Sequence, residues 1–141
     1  MKQENSFRST FVGKCNENGL YALALETTVP GFPDVQIIDN NAVLLIETKC
    51  VKESELSHLL MTKFKPSQPV FYKEYLNNSN NDNLFGLIKV NIKKYILFEF
   101  NNNLVNKMYD LHFNEIKNNT AHYFECEELE TIIERLRTFL R

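Results

Sequence analysis

Two carboxylates and a lysine stand close together in this 141-residue chain: Asp34, then Glu47 and Lys49. Asp34 opens an apolar run, VQIID, and Glu47 closes another, AVLLIET. Asn40 and Asn41 lie between the runs. Asn tolerates positive φ, so these two residues suit a two-residue type I′ turn. With that turn Asp39 pairs with Ala42 and, following the ladder outward, Asp34 faces Glu47. Directly opposed side chains share a face, with Cβ atoms about 4.5–5.5 Å apart. Lys49, two residues beyond Glu47, shares that face, and Thr48 points the other way. A three-residue loop would slip the register and part the two acids.

Carboxylates this close repel and raise one another's pKa unless a cation joins them. Hard oxygen ligands suit Mg²⁺, with Mn²⁺ as a substitute. Asp34 and Glu47 are thus expected as metal ligands, with the Thr48 backbone carbonyl within reach. Such an ion lowers the pKa of a bound water and stabilises charge on a phosphoryl oxygen. A neighbouring lysine orients or deprotonates that water, or stabilises the transition state. That is chemistry for cutting a phosphodiester.

The elements that must position these residues follow from periodicity and turn signals. Gln3 to about Cys15 reads as a helix with Phe7, Phe11 and Val12 as its apolar stripe. Leu20–Glu26 reads as a strand, and Pro30-Gly31-Phe32-Pro33 imposes a rigid connection before Asp34. Ser67 is the expected N-cap of a helix to about Leu76, with Pro69 in its first turn. A loop over 77–83 precedes a second hairpin, LFGLIKV and KYILFEF, joined around Asn91 to Lys93. The last quarter is expected to be helical. From Glu127, apolar residues at 129, 132, 133, 136, 139 and 140 make an amphipathic helix that packs on the core. The fold class expected is α/β, a central mixed sheet flanked by helices. The expectation is one domain over 1–141, with a C-terminal helical extension over about 104–141.

At Pro33-Asp34 and Glu47-Thr48-Lys49 the chain resembles the PD-(D/E)XK nuclease superfamily. The wider pattern is similar to its phage-type branch, which includes Holliday junction resolvases and virus-type replication-repair nucleases. Gly31-Phe32-Pro33-Asp34 fits the Gly-x-Pro-Asp that opens the motif there. Lys65-Pro66-Ser67-Gln68 fits the start of the following helix. The resemblance implies a restriction-endonuclease-like αβββαβ core over residues 4 to 100. It also implies Lys49 as the catalytic lysine, Gln68 as a supporting catalytic residue, and Glu4 as a further metal ligand. Glu26 is a second candidate for that last place, and an acidic residue in a first helical turn also has an ordinary electrostatic reason. The activity implied is Mg²⁺-dependent DNA cleavage, with four-way junctions as substrate and a homodimer as the acting form. The alternatives are a DNA-binding module without catalysis and a restriction-type or end-processing nuclease.

Composition sets the limits. Hydrophobic residues make up 43% and charged residues 24% of the chain, the balance of a globular protein. The net charge of −2 argues against nucleic-acid binding by overall charge. Lys52, Lys63, Lys65 and Lys73 cluster mid-chain beside Lys49, and there a local DNA-binding face is expected. The start carries no apolar signal region, and the longest apolar run, AVLLI, is far short of a membrane span. Three scattered cysteines without metal spacing fit reduced thiols. The expected location is the cytoplasm, or a host cell's cytoplasm for a viral protein. His58, His112 and His122 are too dispersed for a metal box, and no P-loop or dinucleotide fingerprint is present.

Overall fold

The computed structural model describes residues 2–79 and 83–140; residues 80–82, within the loop expected over 77–83, lie outside the described residues. Helix α1 (Lys2–Glu17) leads into strands β1 (Tyr21–Ala24), β2 (Val35–Asp39) and β3 (Ala42–Val51). Short 3₁₀ turns over Glu53–Ser57 and Leu60–Thr62 reach helix α2 (Ser67–Asn78). Strands β4 (Leu84–Val90) and β5 (Lys94–Glu99), helix α3 (Asn102–Lys107), strand β6 (Tyr123–Cys126) and helix α4 (Leu129–Arg137) complete the order.

All six strands form one sheet in the order β1-β2-β3-β4-β5-β6. Every pairing is antiparallel except β3 with β4, so the sheet is mixed, as expected. A parallel pair needs a crossover, and α2 lies within it. One face is covered by α1 and α4, through Phe7, Phe11, Ile132 and Leu136. The other is covered by α2, α3 and the segment before α2, through Tyr72, Leu104, Val105 and Phe64. With both faces covered, β3 and β4 carry near-continuous apolar runs, the signature of a doubly packed sheet.

The turn that decides the register is present. Asn40 and Asn41 have φ of 48° and 71°, and β2 pairs with β3 from Asp39↔Ala42 to Val35↔Ile46. Gly31, at φ 82°, is a second special position. A Cβ there would lie 2.2 Å from the Ser67 carbonyl oxygen, so only glycine lets this loop lie against the start of α2.

Two expectations are corrected. Pro66, not Ser67, occupies the N-cap of α2. The Gln68 side chain serves the exposed backbone instead, its Oε1 accepting from the Lys65 N–H at 2.8 Å. The stretch from 104 to 141 is not purely helical either. Tyr123–Cys126 pairs with β5, because that strand's outer edge otherwise presents unpaired backbone groups. Helix α4 does pack on the core: its Leu129, Ile132, Ile133 and Leu136 are buried, as is Leu140 just beyond it. Among the described residues no helix is long and apolar enough to cross a membrane.

Candidate active site

Strand β3 delivers Glu47 and Lys49 to the face that α2 covers, and both are buried at 6% exposure. Their charges meet directly, Lys49 Nζ lying 3.3 Å from Glu47 Oε2. Gln68, in the first turn of α2, faces the same point, and its Oε1 lies 3.4 Å from Lys49 Nζ. Phe64 presents its ring to the ammonium, 4.8 Å from Nζ to the centroid. Opposite Glu47 on β4 is Gly86. A Cβ there would strike the Phe98 ring at 2.3 Å, so the missing side chain is what lets that ring lie over β4 at the position paired with Glu47.

Asp34 lies one residue before β2, just outside the paired segment. Its Oδ1 accepts from the Thr48 N–H at 3.0 Å and its Oδ2 from the Thr48 hydroxyl at 2.7 Å. Strand alternation predicts a Thr48 side chain turned away from the acids. Here it grips Asp34, because a residue at the end of the ladder is free to reach round the strand. Arg8 of α1 approaches from the other side, Nη1 lying 4.0 Å from Asp34 Oδ2.

The electrostatics fit two acids held near each other. Burial and then the charge of Asp34 push the Glu47 carboxyl up to about 7, against the opposing pull of Lys49 and Gln68. Burial also raises Asp34, and the Thr48 bonds, Arg8 and Lys49 only partly oppose it. Glu47 Oε1 is buried and has no hydrogen-bond partner among the described residues. A buried carboxylate oxygen left open beside a second acid is a fit for a divalent cation. Asp34 and Glu47 are the residues that would hold it. No group of three or more His, Cys, Asp or Glu at metal-binding spacing exists among the described residues, so an ion here would complete its shell with water or substrate oxygens.

Asp34, Glu47, Lys49 and Gln68 open into one cleft of about 880 Å³. Glu4 and Glu26 also line it, and Glu4 Oε2 accepts weakly from the Cys50 N–H at 3.4 Å. Of the expected DNA-binding lysines, Lys63 and Lys65 line the cleft. Lys63 is paired with Glu55 at 3.3 Å, whereas Lys65 is exposed. Lys52 and Lys73 are exposed but are not among the lining residues. His58, His112 and His122 lie outside it.

Sequence reasoning missed four participants. Arg8 was visible as the residue one helical turn after Glu4, on the same face of α1. The Thr48 hydroxyl and the Phe64 ring gave no signal in the sequence. Tyr72 lies one turn after Gln68, fully buried, with no hydrogen-bond partner for its hydroxyl among the described residues. Burial, and then the charges of Glu47 and Asp34, hold that phenol well above its ordinary pKa.

No family model matches the chain. No curated protein matches it. Among solved structures, the chain is similar to Hjc, a Holliday junction resolvase from the archaeal hyperthermophile Archaeoglobus fulgidus. The likeness covers 95% of this chain and 88% of that one, at 14% identity and a TM-score of 0.45.

Proposed function

We propose that this chain is a divalent-metal-dependent deoxyribonuclease of the PD-(D/E)XK type that hydrolyses phosphodiester bonds in branched DNA, four-way junctions in particular. The observation that carries the reading is the open, buried Glu47 Oε1, on a carboxylate that also meets the Lys49 ammonium and feels the charge of Asp34 in one shared cleft. Glu47 and Asp34 are the metal ligands. Mg²⁺, with Mn²⁺ as a substitute, supplies a more acidic water and offsets charge on the phosphoryl group.

The chain's own residues do the rest. Thr48 fixes the rotamer of Asp34 through two hydrogen bonds. Lys49, held by Glu47 and Gln68, places a positive charge beside the reacting phosphate and stabilises the charge that develops there. Arg8 and Lys65 on the cleft wall meet neighbouring backbone phosphates. Symmetric cutting of a junction requires two such sites, hence a homodimer. The C-terminal segment joins the sheet through β6 and the core through α4, which leaves little of it for target recognition of the restriction type.

The test incubates the protein with four-way junction, linear duplex and single-stranded DNA, in Mg²⁺, Mn²⁺ or EDTA. Glu47→Ala and Lys49→Ala run in parallel. Paired cuts across the junction, lost in EDTA and in both variants, are expected. Cleavage that survives both substitutions sinks the assigned site, and tight binding without cleavage favours a non-catalytic DNA-binding module.

A further inference from the structure

Phe64 lies between Lys63 and Lys65 in the segment that leads into α2, yet it is 4% exposed. Its amide donates to the Leu60 carbonyl at 3.2 Å, and its ring packs edge-on against Phe100 at 6.0 Å. The ring is therefore fixed from both ends. One side of it faces Lys49 Nζ at 4.8 Å.

An ammonium has three N–H donors. Two acceptors are in place for Lys49, Glu47 Oε2 at 3.3 Å and Gln68 Oε1 at 3.4 Å. An aromatic face attracts the charge through its quadrupole without claiming a third donor as an oxygen would. The attraction is strongest where the cation is desolvated, and Lys49 is 6% exposed.

On the nuclease reading of Lys49, we propose that Phe64 is a positioning residue, a cation–π clamp that fixes the Lys49 ammonium while leaving one N–H free for the scissile phosphate. A lysine side chain has four rotatable bonds, and two long hydrogen bonds alone leave it room to swing. The ring limits that swing by its bulk and its attraction for the charge. An amide or carboxylate at position 64 would capture the remaining donor.

The test replaces Phe64 with mono-, di- and trifluorophenylalanine, which keep the shape of the ring while progressively cancelling its quadrupole. Junction cleavage is expected to lose about tenfold in kcat across the series, while KM stays within about twofold, the pattern of an interaction used in the chemical step. A ring that merely fills space gives a flat kcat across the series, and that result overturns the proposal. A second readout needs no activity. In EDTA, the Lys49 Hε protons over the ring should resonate upfield, and Phe64→Leu should abolish that shift. Ordinary Hε shifts in the folded wild type overturn the contact itself. If the wild type cleaves no DNA at all, the nuclease reading fails, and the Hε shifts alone still decide the contact.

Discussion

Replacing Glu47 with glutamine should stabilise the metal-free protein while abolishing the proposed DNA cleavage. Burial and Asp34 lift the Glu47 carboxyl from its ordinary 4.5 to about 7. Its folded form thus holds a proton more tightly than its unfolded form. Between those two values the native state carries the extra proton, so stability falls as pH rises through the window and the loss is complete above about 7. Each tenfold in proton affinity is worth about 1.4 kcal/mol, so the ionised carboxylate costs the native state about 3 kcal/mol at pH 8. The Glu47→Gln substitution removes that cost. The amide oxygen still accepts from Lys49, and Lys49 keeps Gln68 and the Phe64 ring. A net gain of about 1–3 kcal/mol is expected at pH 8 in EDTA, shrinking towards zero at pH 4.5. Urea titrations of both proteins at the two pH values, followed by circular dichroism, measure it. A Glu47→Gln protein less stable than wild type at pH 8 in EDTA, or a wild type whose stability does not fall between pH 5 and 8, would refute the reasoning. Added Mg²⁺ should stabilise the wild type and leave Glu47→Gln unchanged.

Gly31→Ala should lose more than about 2 kcal/mol of stability and most activity, since it combines a positive φ with a Cβ against the Ser67 carbonyl; wild-type urea midpoints would contradict the close approach. Tyr72→Phe removes a buried hydroxyl that has no partner among the described residues, and a gain of about 1 kcal/mol in urea unfolding is expected; a loss of similar size would show that the hydroxyl is bonded. Lys65→Ala should reduce the slope of log Kd against log salt for junction DNA by about 0.9, whereas Lys73→Ala, outside the cleft, should leave it unchanged; equal effects would place DNA elsewhere.

The fold of this chain was legible where it depended on local rules. The Asn40-Asn41 turn follows from the tolerance of Asn for positive φ, and the register from Asp39↔Ala42 onward follows from the turn. The stripe of α4 was plain and that of α1 fainter, because burial on one face leaves a helical period. What the sequence hid depended on contacts between distant segments. Strand β6 exists because β5 has an edge to cover, a fact invisible in YFEC itself. Thr48 turned out to hold Asp34 because the ladder stops one residue short of the acid. Phe64 reads in sequence as one more core aromatic between two lysines. Its role follows from which residue lies above its ring.

The single parallel pairing in the sheet also divides the labour of the molecule. Strands β1 to β3 form one meander by local turns, and β4 to β6 form another with one longer return. Only the β3–β4 seam requires closing the long crossover that contains α2. Asp34, Glu47 and Lys49 all belong to the first meander, while Phe64 and Gln68 ride on the crossover. Gly86, paired with Glu47, and Phe98, whose ring lies over Gly86, belong to the second. Seams between sequence-distant strands close late, because the loop entropy is spent before the contacts form. The residues that bury Glu47 and Lys49 thus come from beyond the first meander, across the seam and along the crossover. On the nuclease reading, the proposed cleft is therefore incomplete until the β3–β4 seam has formed.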